Sequence, residues 1–312
     1  MNDFCKNLND GIPARSFRDF TVYHNSWRKV LLLLMIWATC LPLAVFSQPK
    51  ILFIGNSFTY GGSDATNKIM KIGGVPAIFA RMALAGSKVK PVIMMTTAGG
   101  QNFRFHNSNP ATLAAIQTQQ WDYVILQNYS TEPTHLVDAK HRLADHFTYG
   151  MALYQKVMSN NPLTRVILYE TWSRAAAHPF ITGVSSARSF ASTTEFQSEL
   201  RANYRQLASS LNRAWPANPR VLVAPVGDAW EYAGGLRAAS DPLYAPLHAS
   251  DNYHGNDNGY YLSAAVFYAV VYGASPCGLS TNTLISDLHL NLTMRAATLE
   301  KAAWDAIQSS PP

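Results

Sequence analysis

Short apolar runs alternate with longer segments of helical character along most of this chain. Runs of four to eight apolar residues are typical of buried strands, and strands that alternate with helices favour a parallel sheet covered on both faces. We therefore predict an α/β fold, a three-layer α/β/α sandwich around a mainly parallel five-stranded sheet. The predicted strands are residues 50–54, 89–96, 123–127, 165–170 and 221–225. The predicted helices are residues 77–85, 136–158, 194–215 and 258–272.

The first predicted strand ends at Gly55, two residues before Ser57. A glycine there permits a tight turn, and helical character resumes after it as far as about residue 84. A serine at a strand-to-helix turn can act as a nucleophile, because free N–H groups at the start of a helix can stabilise an oxyanion. The alternative interpretation is an ordinary turn in which Ser57 only caps the next helix.

Asp251 precedes His254 by three residues, near the other end of the chain. At this spacing, on a loop or a single helical turn, the carboxylate can orient the imidazole and stabilise its charged form. His254 can then take the proton of Ser57. The alternative is a surface loop in which Asp251 caps a helix and His254 is solvated.

Four segments, in this order, resemble the motifs of the SGNH, or GDSL-type, hydrolases. They are Gly-Asn-Ser-Phe at 55–58, Thr-Ala-Gly-Gly-Gln at 97–101, Trp-Asp-Tyr-Val-Ile-Leu-Gln-Asn-Tyr-Ser at 121–130 and Asp-Asn-Tyr-His at 251–254. Asn56 stands where the family more often has Asp. The resemblance covers residues 49–308, and the stretches at 169–172, 224–230 and 254–265 resemble a secreted bacterial branch of the superfamily.

This resemblance implies an SGNH/flavodoxin-like sheet and a serine esterase. Ser57 would be the nucleophile, His254 the base and then the acid, and Asp251 the residue that orients it. The N–H groups of Ser57 and Gly100, with one side-chain amide, would form the oxyanion hole. We also expect Asn56, Trp172 and Tyr253 to contact the substrate.

The third motif departs from the family's usual Gly-x-Asn-Asp pattern, so the amide donor is open between Gln127 and Asn128. A one-residue difference in register decides which of the two faces inward. Gln127 is slightly favoured, because some carbohydrate esterases of the superfamily are similar in using Gln there. If both amides only satisfy loop carbonyls, the oxyanion hole consists of the Ser57 and Gly100 N–H groups.

The N-terminal segment has the pattern of an export signal. Trp-Arg-Lys at 27–29 precedes an apolar stretch that ends at residue 46, and Val-Phe-Ser at 45–47 is a plausible cleavage site. We predict that residues 1–47 are a signal peptide with a long polar n-region, or else an uncleaved membrane anchor. Residues 48–312 are predicted to form a single hydrolase domain, exported to the periplasm or the medium and free of stable membrane association once the leader is cleaved.

Composition limits the remaining function classes. With 48% hydrophobic and 14% charged residues, the chain is typical of a globular enzyme. Its formal charge of +6 is spread without basic runs, so we predict no nucleic-acid binding. Cys277 would be the only cysteine of the exported domain and is interpreted as a packed small residue. The histidine spacings and the absence of a phosphate-binding glycine loop predict neither a metal nor a cofactor.

We therefore predict an exported serine esterase that acts on O-acyl esters, chiefly O-acetyl esters, of carbohydrates. The substrate, a small-molecule or polysaccharide ester, is implied by the resemblance and by export. Two alternatives are a lipid esterase or thioesterase of the same superfamily and a non-catalytic glycan-binding protein with the same fold. The oligomeric state is left open by the sequence.

Overall fold

Five parallel strands form the central sheet, in the order β2-β1-β3-β4-β5. The strands are β1 (Lys50–Gly55), β2 (Val92–Thr97), β3 (Tyr123–Leu126), β4 (Arg165–Glu170) and β5 (Leu222–Pro225). The computed structural model describes residues 48–62, 68–138, 141–184, 188–280 and 282–310. The predicted leader, residues 1–47, lies outside the described residues. Within the described ranges, no helix has the length and apolar character needed to cross a bilayer.

The two faces of the sheet are both buried, as the apolar runs predict. Successive side chains of a strand point to opposite faces. In β1, Ile51 and Phe53 therefore belong to one hydrophobic cluster, whereas Leu52 and Ile54 belong to the other. The strands of a parallel sheet buried on both faces read as continuous apolar runs, which is how β1 reads.

Helices cover both faces. In chain order they are α1 (Ser57–Tyr60), α2 (Lys68–Lys71), α3 (Gly74–Ala85), α4 (Phe103–Ser108), α5 (Pro110–Gln117), α6 (Leu143–Asn160), α7 (Pro179–Thr182), α8 (Thr193–Ala214), α9 (Val226–Ala233), α10 (Asp257–Tyr272), α11 (Asn282–Asp287) and α12 (Ala296–Ser309). Helices α3, α9, α10 and α12 contribute to one hydrophobic cluster, and α4, α5, α6 and α8 to the other. The predicted five-stranded, three-layer α/β/α architecture is confirmed.

Several element boundaries differ from the sequence-based prediction. Strand β2 begins at Val92, after Pro91, and not at residue 89. Helix α6 begins at Leu143 and not at residue 136. The residues ahead of it form a loop in which Glu132 and Thr134 are buried and make side-chain hydrogen bonds, an arrangement that competes with helix formation.

The carboxyl ends of the strands determine where the candidate site lies. Ser57 follows β1, Gly100 follows β2 and Gln127 follows β3. In an open parallel sheet this edge is the usual place for a ligand. The loop 249–255, which carries the predicted acid and base, precedes α10 and meets Ser57 at this edge.

Candidate active site

Ser57 lies in the sharp turn between β1 and α1, where it is 6% exposed. The Asn56 side chain caps the helix by accepting from the Phe58 N–H at 3.1 Å. Space is short here, since a Cβ on Gly55 would lie 2.5 Å from the Thr59 hydroxyl oxygen and 2.6 Å from Oε1 of Gln127. The turn therefore requires a glycine directly after the strand, and it presents the serine hydroxyl at the end of the sheet.

His254 and Asp251 complete a continuous hydrogen-bonded chain from Ser57. His254 Nε2 lies 2.8 Å from Ser57 Oγ, and His254 Nδ1 lies 2.7 Å from Asp251 Oδ2. The other carboxylate oxygen, Oδ1, accepts from the main-chain N–H of Tyr253 at 3.0 Å and of His254 at 2.9 Å. A serine hydroxyl, an imidazole and a carboxylate are therefore hydrogen-bonded in series, as the predicted nucleophile, base and orienting group require.

Burial sets the charge of His254. It lowers the pKa of the imidazole below its ordinary value, and the hydrogen bond and charge of Asp251 oppose this shift. The imidazole is therefore neutral near pH 7. With its Nδ1 proton directed to Asp251, its Nε2 lone pair is available to the Ser57 hydroxyl.

The loop that carries the predicted acid and base is held by two hydrogen bonds from one neighbouring segment. Asn252 has φ of 58°, a left-handed conformation that Asn tolerates. Its carbonyl accepts from the Ala175 N–H at 3.0 Å. The Tyr253 carbonyl accepts from Nε1 of Trp172 at 3.1 Å. The segment after β4 thus buttresses this loop.

Gly100 lies in the loop after β2, with φ of 66°. Asn56 ties this loop to the serine turn, because its Nδ2 donates to the Gln101 carbonyl at 2.9 Å. Among the described residues, neither the Ser57 N–H nor the Gly100 N–H has a hydrogen-bond acceptor. Two main-chain donors thus remain available for a ligand oxygen in this part of the site.

Both candidate amides make hydrogen bonds inside the protein. Gln127 is fully buried, and its Oε1 accepts from the Asn56 N–H at 2.8 Å and from the Thr59 hydroxyl at 3.1 Å. Its Nε2 donates to the Asn128 carbonyl. Asn128 is also fully buried, with Oδ1 accepting from the Phe103 N–H at 2.9 Å and Nδ2 lying 3.0 Å from His146 Nδ1. The expected side-chain donor is therefore not found at either position, since both amides satisfy groups inside the protein.

Two of the three residues expected to contact substrate are occupied elsewhere. Asn56 is 2% exposed and joins two loops. Trp172 is fully buried, its ring stacked between those of Phe58 and Trp230 at centroid distances of 4.2 and 4.1 Å. Tyr253 is the exception, because its half-buried ring lies 4.1 Å from that of His254. Of these three residues, only Tyr253 combines partial exposure with contact to His254.

No family model matches the chain, and no curated protein matches it. Among solved structures, a DUF4886 family protein from Bacteroides uniformis is 14% identical, with a TM-score of 0.55, 84% of this chain covered and 95% of that one. A candidate SGNH hydrolase from Slackia heliotrinireducens is 16% identical, with a TM-score of 0.51 and coverage of 72% and 100%. The lipase/acylhydrolase from Enterococcus faecalis is 16% identical, with a TM-score of 0.50 and coverage of 72% and 96%.

This chain has the SGNH-hydrolase fold. Within that fold the serine turn has two supports that the sequence did not reveal. His106 is buried, with Nε2 2.9 Å from the Gly55 carbonyl and Nδ1 2.8 Å from the Thr112 hydroxyl. Gln127 holds the next main-chain group, the Asn56 N–H. The signal for His106 is weak, because a lone histidine in a short helix has no characteristic pattern.

The part of the chain that the structure describes contains no cluster of metal-ligating side chains. No group of three or more His, Cys, Asp or Glu side chains there could hold an ion. His106 and His146 are committed to internal hydrogen bonds.

Proposed function

We propose that this protein is a serine ester hydrolase that acts through an acyl-enzyme. The hydrogen-bonded chain from Ser57 Oγ through His254 to Asp251, with distances of 2.8 and 2.7 Å, is the observation that carries the proposal. Binding modules have no need of a buried, neutral imidazole in contact with a serine hydroxyl. Ester hydrolysis needs this arrangement, because the hydroxyl must lose its proton as it attacks.

The reaction follows from the contacts. Ser57 Oγ attacks the ester carbonyl carbon while His254 Nε2 takes the hydroxyl proton, and Asp251 stabilises the resulting imidazolium. The N–H groups of Ser57 and Gly100 donate to the oxyanion. The tetrahedral intermediate then collapses, and the alcohol leaves with the proton from His254. Water, deprotonated by His254, attacks the acyl-enzyme in the same way and releases the acid.

The proposed substrate is a short-chain ester, an O-acetyl group on a carbohydrate. Support comes from the resemblance of the stretches at 169–172, 224–230 and 254–265 to a secreted branch of the SGNH hydrolases and from the export pattern of residues 1–47. The protein would then act outside the cytoplasm, where polysaccharides carry such esters. We expect the predicted leader to be cleaved and residues 48–312 to be the active domain.

The test compares wild-type protein, expressed from Gln48 onward, with Ser57→Ala on p-nitrophenyl acetate, butyrate and octanoate. We expect hydrolysis to be fastest for the acetate and to fall by at least about 10³-fold in Ser57→Ala, because loss of the nucleophile leaves only binding and the oxyanion donors. Ser209→Ala, an exposed serine on α8, is the matched control and should retain wild-type rates. Acetylated glycans follow as substrates.

Three other results would favour a different function or a different nucleophile. Preference for octanoate would favour a lipid esterase or thioesterase. Equal rates for wild type and Ser57→Ala would reject Ser57 as the nucleophile. A folded wild-type protein that binds glycans, hydrolyses none of these esters or acetylated glycans, and binds equally well as Ser57→Ala would favour the non-catalytic alternative.

A further inference from the structure

Arg174, just after β4, has a buried positive charge next to the candidate active site. It is only 3% exposed. Within the described residues no carboxylate lies within 4.0 Å of its guanidinium, and it takes part in none of the ion pairs found there. Burying a charge without an oppositely charged partner costs free energy, so the groups around this side chain must offset that cost.

The polar contacts of Arg174 satisfy it only in part. Its Nη2 donates to Ser130 Oγ at 2.9 Å. Its Nη1 is buried and has no hydrogen-bond partner in the described part of the chain. The remaining surroundings are aromatic, and the ring of Tyr253 is nearest, with its centroid 3.7 Å from the guanidinium carbon. Cation–π contact compensates some of the lost hydration of the cation, but it leaves the Nη1 donors unused.

Arg174 lies one side chain away from the reacting groups. Tyr253 directly precedes His254, and the two rings are 4.1 Å apart. The guanidinium carbon is also 6.0 Å from the ring of Phe58, the residue after Ser57. Asp251 interacts with Arg174 only through longer-range charge, and its carboxylate is already engaged by His254. The positive charge is therefore close enough to select ligands by charge, and the nearest acid does not neutralise it.

An anionic group on the substrate would supply the missing partner. A carboxylate oxygen accepts a charge-assisted hydrogen bond from a guanidinium, and the unoccupied Nη1 of Arg174 is able to donate one. In an acetyl ester the acyl part ends at a methyl group, so the carboxylate must belong to the alcohol part. Nη1 is buried, so the neighbouring half-buried Tyr253 ring must turn aside for the carboxylate to reach it.

We propose that Arg174 forms a carboxylate subsite, which makes the enzyme selective for acetyl esters whose alcohol part is acidic, such as acetylated uronic-acid residues of a glycan. This proposal rests on the esterase function proposed above. Arg174 is then a specificity-determining residue, and Tyr253 lies between this subsite and His254.

The experiment compares 3-acetoxybenzoate with 3-acetoxybenzamide, two acetyl esters of similar size that differ by one negative charge. For wild-type protein we expect kcat/KM at low ionic strength to be at least about tenfold higher for the anionic ester, and the preference should shrink as salt is added. In Arg174→Gln the ratio should fall to about one, and in Arg174→Lys part of the preference should remain. The matched control is Arg220→Gln, an exposed arginine ahead of β5, which should keep the wild-type ratio.

A binding measurement separates this proposal from the esterase function. Calorimetric titration of Ser57→Ala with each compound should show tighter binding of the anionic one, and the added Arg174→Gln substitution should remove the difference. Charge-selective binding, together with no turnover of either ester by the wild-type protein, would keep the subsite and overturn the esterase function. Equal wild-type rates for the two esters, with equal binding, would overturn the subsite and leave the esterase function intact. If Arg174→Gln fails to fold, the wild-type preference, its salt dependence and Arg174→Lys decide the question.

Discussion

Asp251 makes its contacts to the imidazole and to the main chain within a single turn. Oδ1 accepts from the N–H groups of Tyr253 and His254, and Oδ2 faces Nδ1 of His254. The carboxylate therefore fixes the ring position through the backbone and the tautomer through the side chain. This dual use explains physically why a spacing of three residues is sufficient for an acid and a base.

The pH dependence of activity should follow His254. The imidazole must be neutral to accept the Ser57 proton, so kcat/KM should fall as pH drops through the His254 pKa and level off above it. Because burial lowers that pKa, the acidic limb should have its midpoint below the ordinary value for histidine. The measurement is kcat/KM for p-nitrophenyl acetate from pH 4 to pH 8, over a range where the fold is intact by circular dichroism. A midpoint at or above the ordinary histidine value of 6.5 would contradict this interpretation of the site.

Sequence patterns predicted which residues meet at Ser57 better than they predicted what each side chain does there. The order of the motifs is enough to place Ser57, Gly100 and His254 at one edge of the sheet. The orientations of Gln127 and Trp172 depend on packing, because a side chain that follows a strand can turn inward or outward with little change in local sequence preference. Gln127 turns inward since the buried Asn56 N–H would otherwise lack an acceptor.

At the scale of elements, a stack of three aromatic rings joins three parts of the domain. Phe58 comes from α1, Trp172 from the segment after β4 and Trp230 from α9, and the planes of neighbouring rings differ by only 3°. Trp172 also holds the Tyr253 carbonyl through its Nε1. The stack therefore links the serine turn to the loop of His254 as well as filling the core.

Trp172→Ala should destabilise the protein and impair catalysis together. We expect the free energy of unfolding to fall by about 3–5 kcal/mol, as for other buried aromatic side chains replaced by alanine. Tyr232→Ala, at a side chain that is 52% exposed, is the control and should change it by no more than about 0.5 kcal/mol. Urea unfolding and kcat/KM for p-nitrophenyl acetate test the two effects. Reduced stability with unchanged kcat/KM would show that the stack serves the core alone.

The strands and the long helices α8 and α10 were predictable, whereas the short helices α4 and α5 were not. The strands have dense apolar runs, and the long helices have enough turns to establish a pattern. Helix α4 has only six residues and starts where the Asn102 side chain accepts from the Phe105 N–H. Helix α5 starts at Pro110 after an Asn109 cap. Such caps are common in turns too, so they do not distinguish a short helix from a loop.

At the scale of the whole molecule, several ionisable side chains are buried without charge, in α4, in α6 and in the loop ahead of α6. Burial lowers the pKa of His106 to about 4 and of His146 to about 3. It raises the pKa of Glu132 to about 8. The two histidines therefore lower the stability of the protein as pH falls below 6.5, and Glu132 lowers it as pH rises from 4.5 to about 8.

Glu132→Gln should remove a loss of stability at higher pH. Glu132 is fully buried, Oε1 accepts from Asn102 Nδ2 at 3.2 Å, and Oε2 has no partner among the described residues. Between its unfolded pKa near 4.5 and its folded pKa of about 8, the unfolded chain is ionised and the folded one is protonated. The free energy of unfolding therefore falls as pH rises through this window.

We expect Glu132→Gln to gain stability relative to wild type by about 1–3 kcal/mol between pH 5 and pH 8, a fraction of the full shift at about 1.4 kcal/mol per pKa unit. Urea unfolding at both values measures this. The control is Asp305→Asn, a partly exposed carboxylate on α12, whose difference from wild type should change little with pH. A constant difference between wild type and Glu132→Gln would mean that Glu132 is ionised in the folded protein.

Asp251 and His254 can find each other within one turn, but the serine comes from a position 197 residues earlier in the chain. The contact between Asp251 and His254 is therefore local in sequence, whereas the contact between His254 and Ser57 forms only after nearly the whole domain has folded. Long-range contacts of this kind form late and slowly compared with turns. In a refolding experiment, the rate at which activity returns would therefore report when Ser57 and His254 come into contact. It would not depend on how early either end of the domain forms its own structure.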